Sequence, residues 1–310
     1  MPFSIGADDV APVLTVFAVI AFAANSVLCR LALGHRAVDP ASFTLVRILS
    51  GAVALVAVLA ATSRSVPHAG AVRTVLQADG RHTAPWISAA LLFLYAAPFS
   101  FAYVSLSAGT GALILFACVQ ATMLVGAMRS GERFRWVEGL GLGIALAGLT
   151  YLVAPGLSAP DPAGSVLMAI AGIAWGLYSL RGRSSTDPIG DTTRNFVLAV
   201  PFAVIVSAFA LGRAHLSTRG VLLASGSGAI ASGMGYVAWY AALRGLTRIR
   251  ASIVQLLVPV LAGIAGILLL GETLTLRLVF SAALILGGVA VAVISAPAVP
   301  SPAPAVPSSR

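Results

Sequence analysis

The sequence contains no lysine, only ten acidic residues and two cysteines, and each scarcity excludes something. Charged residues occupy 9% of the 310 positions while 59% are hydrophobic. Soluble domains carry roughly a quarter charged residues, so a soluble helical bundle is excluded. Cys29 and Cys118 both fall inside apolar runs, which rules out a disulfide framework as the organising device. All the positive charge sits on arginine, scattered singly through short connections. The net charge of +9 therefore builds no basic face, and nucleic acid is not an expected partner. Neither HExxH, GxSxG nor a Walker A sequence occurs, and His35, His68, His82 and His215 all lie in connections. No metal, no cofactor, no nucleotide hydrolysis and no other enzymatic chemistry is expected from such a set. Finally, no acidic residue lies in the middle third of an apolar run, which argues against a carboxylate proton relay.

What is present is a succession of apolar runs of about 20 residues, each able at ~1.5 Å per residue to cross a hydrocarbon core of ~30 Å. They fall near 10–33, 40–62, 84–106, 109–128, 137–155, 163–181, 195–212, 219–243, 251–270 and 277–296. The expected fold is an all-α integral membrane protein of ten transmembrane helices. The first run is too long, and its Asp8-Asp9 flank too acidic, for a signal peptide. Ten spans put both termini on one side, where thirteen arginines lie; Arg30, Arg36, Arg213, Arg219 and Arg277 lie on the other, and Arg47 is within a span. The positive-inside rule then places both termini in the cytoplasm of an inner, or plasma, membrane. The polar, basic connection at 63–83 suits a cytoplasmic surface segment, and the proline-rich stretch 297–310 a disordered cytoplasmic tail.

The chain also repeats itself. Phe22 to Arg30, FAANSVLCR, aligns with Ile173 to Arg181, IAWGLYSLR; Gly111 to Trp136, ending GERFRW, aligns without gaps with Ala251 to Leu276, ending GETLTL. Each half, 10–155 and 163–296, then holds five spans. An odd number starts the second half from the opposite side, giving two inverted five-helix repeats about an axis in the membrane plane. Two near-equivalent packings of such units, one open to each side, make alternating access around a solvated mid-bilayer pocket the expected mechanism.

Four features carry a family resemblance: Gly131-Glu132 and Gly271-Glu272 closing two small-residue helices, Pro259 in the ninth span, and Ala174-Trp175 in the sixth. With these, residues 10–296 resemble the drug/metabolite transporter superfamily in its ten-span EamA-type branch. The resemblance implies secondary transport of a small-molecule substrate across the lipid bilayer. Within the branch the length, topology and aromatic residues are similar to bacterial exporters of aromatic and other neutral amino acids. The first copy departs from the pattern, with Val119-Gln120 where the second has Pro259-Val260. Nothing in the sequence fixes an oligomeric state, and a monomer is compatible with it.

Candidate site residues follow from chemistry at depth. Arg47 stands about seven residues into the second span, roughly 10 Å deep, where a charge is costly and needs a partner. A substrate carboxylate is one partner; backbone carbonyls or snorkelling to the outer surface are the others. By the first repeat's offset its pseudo-equivalent is Leu198. Asn25 lies at similar depth in the first span and Gln120 near the middle of the fourth; each suits either a polar solute or an interhelical hydrogen bond. Trp175, Tyr178, Tyr95, Phe99 and Tyr103 form a candidate aromatic lining. Trp86, Trp239 and Tyr240 read as interface anchors. Pro98, Pro201 and Pro259 each remove a backbone donor inside a span and are candidate hinge or gating positions. The glycine strings around 139–143, 225–228 and 232–235 read as close helix packing. Glu132 and Glu272, at opposite membrane faces, are expected to pair with an arginine or to cap a helix.

Overall fold

The computed structural model describes residues 7–62, 85–129, 136–156, 159–182, 185, 187–243 and 254–295. The 63–83 segment, Glu132 and the 297–310 tail lie outside them. Among the described residues, and apart from a 3-10 turn at Leu211–Arg213, ten helical units follow one another: α1 Ala7–Gly34, α2 Pro40–Thr62, α3 Pro85–Ala102, α4 Ala108–Arg129, α5 Trp136–Val153, α6 Pro162–Gly182, α7 Pro188–Phe209, α8 from Thr218 to Leu243, α9 Leu257–Leu270 and α10 Leu276–Ser295. Eight are long and apolar enough to cross a membrane, and α9 and α10 supply two shorter apolar helices.

Local chemistry sets several of the boundaries. Three helices open on Asp-Pro, with proline pre-set for the first helical position and the preceding carboxylate capping orphan N–H groups. Asp39 Oδ1 accepts from the Ala41 and Ser42 amides at 3.1 and 2.9 Å, Asp161 Oδ2 from Gly164 at 2.6 Å, and Asp187 Oδ1 from Gly190 at 3.0 Å. The last of these starts α7 at Pro188, seven residues before the apolar run. The added turns carry Asp191 and Arg194, which pair with each other at 2.6 Å and so tolerate the position. α3 stops at Ala102 rather than 106, because the chain turns through the Val104-to-Phe101 and Ser105-to-Ala102 backbone bonds. α9 begins in earnest only at Leu257, after a break at Leu256. Pro259 has no N–H to give the carbonyl of Gln255, four residues back. Gly271, at φ +64°, ends α9 in the left-handed conformation that glycine adopts without cost.

Helix packing follows the inverted repeat. Exchanging α1–α5 with α6–α10 maps α1 against α8 onto α6 against α3, α1 against α9 onto α6 against α4, and α2 against α8 onto α7 against α3. The pairs α2–α7, α4–α9 and α5–α10 map onto themselves. All nine pairings are present, as two units threaded in opposite senses require. In the α5–α10 pair, a β-carbon on Gly141 or Gly288 would overlap the facing backbone, so the helices touch main chain to main chain.

The five odd-to-even connections meet on one face. Arg30 Nη1 donates to the carbonyls of Tyr103 and Val104 at 3.1 and 2.9 Å, and Arg277 Nη1 to that of Ala154 at 2.6 Å. Ser105 Oγ donates to Asp161 Oδ2 at 2.9 Å. Val38 and Leu216 form an antiparallel bridge, beside which the His215 amide donates to Asp39 Oδ2 at 3.0 Å. Partial burial works to raise the Asp39 pKa, but the hydrogen bonds from Ser42, His215 and Ala41 outweigh it and hold the carboxyl below its ordinary value.

Candidate substrate site

The centre of the bundle is built around Arg47. Gly228 brings α8 against α2, since a β-carbon there would overlap Arg47 O and Ser50 Oγ. At this contact α8 changes winding: Thr218–Ser225 and Gly235–Leu243 are α-helical, whereas Gly226–Met234 is π-helical. Residues five apart share a face of a π-helix, and Ser227 and Ser232 both turn inward. Ser232 Oγ accepts from Arg47 Nε at 3.3 Å, and Ser227 Oγ donates to Asn25 Oδ1 at 2.6 Å. Tyr95 joins the two clusters: its hydroxyl accepts from Arg47 Nη2 at 2.8 Å and from Asn25 Nδ2 at 3.2 Å.

Arg47 is only 2% exposed, and no carboxylate among the described residues pairs with it. Its guanidinium lies 5.0 Å from the Tyr95 ring centroid and 4.8 Å from that of Phe99. Burying a cation costs several kcal/mol after relaxation. Hydrogen bonds to a charged group return about 1.5–3 kcal/mol each, and desolvated cation–π contacts about 2. Among the described residues the charge is thus held without a counter-ion, and Nη1 makes no hydrogen bond.

Beside this polar cluster lies an aromatic one. Trp175, from α6, sits between Tyr95 at 4.8 Å and Tyr236 at 4.9 Å, with Tyr178 stacked at 5.5 Å. Together with Phe22, Phe99 and Phe116, the rings of Tyr95, Trp175 and Tyr236 wall a cavity of about 30 Å³. Asn25, Ser26 and Gln255 add polar side chains to the wall beside the two tyrosines. That volume holds a water or two and no metabolite. The centre thus holds a small aromatic chamber rather than the solvated, solute-sized pocket expected, and its rings must part before a solute of metabolite size enters.

Of the residues singled out from sequence, Asn25, Tyr95, Phe99 and Trp175 line this cavity. Arg47 stands one layer behind, screened by the Tyr95 and Phe99 rings. Tyr103 is fully buried, edge-on to Phe99 at 4.7 Å, and its hydroxyl donates to Ala108 O at 3.3 Å. Tyr178 accepts from Asn195 Nδ2 at 3.2 Å. Neither tyrosine is in the cavity wall, nor is Gln120, whose Nε2 is buried without a hydrogen bond among the described residues. Pro98 lies inside α3 between Tyr95 and Phe99, Pro201 inside α7, and Pro259 in the first turn of α9. Trp86 is 51% exposed, as an anchor would be, but Trp239 is 7% exposed and packs on Phe22 at 6.0 Å.

Sequence reasoning passed over Phe22, Ser26, Leu115, Phe116, Tyr236 and Gln255. Two of them were within its reach. Carrying the Gly111/Ala251 alignment back along the chain takes Tyr95 to within one residue of Tyr236, and it pairs Leu115 with Gln255, both in the cavity wall. The partner of Arg47 also changes. Counting from the Asp-Pro starts, Arg47 and Asn195 each stand seven residues beyond the proline, so α7 offers Asn195, not Leu198, at that register.

One end of the bundle is closed across the two units. Glu272, just beyond α9, accepts from the Ala108 amide at the start of α4 with both oxygens, at 2.8 and 2.9 Å, and faces Arg30 Nε at 3.6 Å. A β-carbon on Gly109 would stand 2.9 Å from Gly263 Cα, so α4 and α9 cross closely at the same end.

A ten-helix bundle of inverted repeats with an aromatic chamber at its centre defines a multi-pass membrane transport protein. Known proteins agree. The EamA-like transporter family matches residues 162–294, which is α6 to α10. An uncharacterized protein of Pseudomonas aeruginosa is 46% identical over 278 residues, covering 89% of this chain and 92% of that one. An uncharacterized transporter of Archaeoglobus fulgidus is 28% identical over 198 residues, 61% of this chain and 69% of its own. A solved crystal structure shares the fold, with a TM-score of 0.61 at 21% identity over 92% of this chain and 98% of the other. Residues 162–294 of the chain form an EamA-like transporter family domain.

Proposed function

We propose that the protein exports small metabolites, amino acids and the aromatic ones foremost, by alternating access at the aromatic chamber. The observation that carries the substrate class is the chamber itself: the closely packed, mutually tilted rings of Tyr95, Trp175 and Tyr236 beside a few uncharged polar groups, with the Arg47 cation, which no carboxylate among the described residues pairs, next to them. Flat apolar side chains gain from such walls, and a carboxylate gains from the positive field. Alternating access is supported by the near-equivalence of the halves, which we take as units 10–155 and 163–296. Closure by Glu272 and Arg30 at one end supplies a contact that one of the two states would break. The direction of transport rests on the resemblance to amino-acid exporters. Placement in the inner membrane with cytoplasmic termini rests on the arginine asymmetry.

The test is counterflow. Purified protein in liposomes preloaded with unlabelled L-phenylalanine, L-leucine or a nucleotide sugar is given the labelled compound outside, with and without a proton gradient. Accumulation of the amino acids, phenylalanine above leucine, is expected. No flux of any amino acid at matched reconstitution would sink the reading, and no flux of any solute would favour an assembly or regulatory role.

A further inference from the structure

We propose that the Tyr95 hydroxyl is the group that receives a solute's carboxylate, and that Arg47 is a positioning and polarising residue that acts through it. This rests on the transport reading of the same chamber and deepens it.

A phenolic hydroxyl has one proton to give and a limited set of lone pairs to accept with. At Tyr95 the acceptor side is occupied: Arg47 Nη2 points at it from 2.8 Å and Asn25 Nδ2 from 3.2 Å. The proton must then point away from both donors. Among the described residues no acceptor takes it, and Tyr95 is part of the cavity wall. A hydroxyl that accepts from a guanidinium is itself polarised into a stronger donor, and the low-dielectric interior does little to weaken that effect. The neighbouring acceptor is taken too, because Asn25 Oδ1 holds the Ser227 hydroxyl at 2.6 Å.

This corner of the chamber therefore offers donors and positive potential, and no free carboxylate faces it among the described residues. Arg47 supplies the potential without direct contact, since the Tyr95 and Phe99 rings lie between its guanidinium and the cavity. Its unbonded Nη1 leaves the charge partly unsatisfied. The Trp175 and Tyr236 rings of the same cavity, 4.9 Å apart and tilted by 30°, suit a flat, apolar body. The ligand class is a monocarboxylate with a planar or apolar body, of which aromatic amino acids are one kind.

The experiment uses two matched pairs, phenylacetate with phenylacetamide and L-phenylalanine with L-phenylalaninamide, against full-length protein in nanodiscs. Binding is read from tryptophan fluorescence excited at a wavelength these ligands do not absorb. Trp175→Phe serves as the control that the signal arises at the chamber. The parent is expected to favour each carboxylate over its amide by about ten-fold or more, the range of a charge-assisted hydrogen bond. Tyr95→Phe keeps the ring packing and should lose about ten-fold on the carboxylates while barely changing on the amides. Arg47→Gln keeps an amide donor, removes the charge and should behave the same way, with thermal melts confirming that both variants fold. A merely structural arginine would weaken both members of a pair alike.

Variants that keep the parent's carboxylate-to-amide ratio, or a parent with no preference, would overturn the proposal. If phenylacetate follows the expected pattern while L-phenylalanine neither binds nor crosses, the amino-acid reading fails and the role of Tyr95 stands.

Discussion

Replacing Glu272 with glutamine probes the closure between the two units. The substitution keeps the shape and one acceptor oxygen but removes the charge, so three contributions change. The bond to the Ala108 amide falls from charge-assisted to neutral strength, a loss of about 1 kcal/mol. The attraction to the N-terminal end of α4 contributes about 0.5 kcal/mol, and the 3.6 Å pair with Arg30, which is partly exposed, about as much again. The sum is about 2 kcal/mol. If this contact holds the end closed, such a loss shifts the closed-to-open ratio roughly thirty-fold. Accessibility of a cysteine reads that ratio. Ser26, in the cavity wall one turn from Arg30, is replaced by cysteine in a chain whose Cys29 and Cys118 are serine. The rate of modification by a polar maleimide in nanodiscs is then compared with and without Glu272→Gln. A rise of ten-fold or more is expected, reversed by a ligand that binds the closed form. An unchanged rate with a lowered melting temperature would refute the reasoning, because it would make Glu272 a helix cap and nothing more.

Trp175→Leu should lower flux of aromatic solutes by about ten-fold while aliphatic ones fall less, since it removes ring pairs worth about 0.5–1.5 kcal/mol each; equal losses in a counterflow assay would count against the aromatic wall. Gly228→Val forces atoms into Arg47 O and Ser50 Oγ and should destabilise the fold by about 1–3 kcal/mol or more, visible as a lower melting temperature in detergent. Asp39 has a lowered native pKa, so its contribution is complete above the unfolded value of about 3.9 and is lost as pH falls through the lower native one. The melting temperature of the parent should drop across that acid window, and Asp39→Asn, which still caps α2, should lack that part of the drop.

Where the sequence was sufficient, a strong local signal and a membrane constraint pointed the same way. Apolar runs must become spans because lipid leaves no other way to satisfy the backbone, and the odd number of runs per repeat dictated the inversion. Helix rise put Arg47 and Asn25 at similar heights along neighbouring spans, and both bond one hydroxyl, that of Tyr95. The start of α7 was misplaced because hydropathy discounts a turn carrying Asp191 and Arg194, although Asp187-Pro188 marks it. Tyr178 follows the wall residue Trp175 on α6 and Tyr103 stands just past the end of α3; each packs on a wall ring, but their hydroxyls bond Asn195 and Ala108 rather than facing the cavity. Hydropathy carries no information on such rotation. The winding of α8 was illegible as well: glycine and serine at 225–235 read as close packing, which they provide at Gly228, yet nothing in their spacing announces a π-helix.

That stretch has a consequence for how the centre can rearrange. In Gly226–Met234 the amide of Gly235 reaches back five residues, to Ile230 O, so more chain is wound into a given rise than an α-helix would take. Passing the slack up or down the helix by one position turns the intervening side chains by about 100° while both ends of α8 stay where they are. Ser227 and Ser232 could in that way let go of Asn25 and Arg47 without any tilt of the helix that carries them, at the cost of a few rewired backbone bonds.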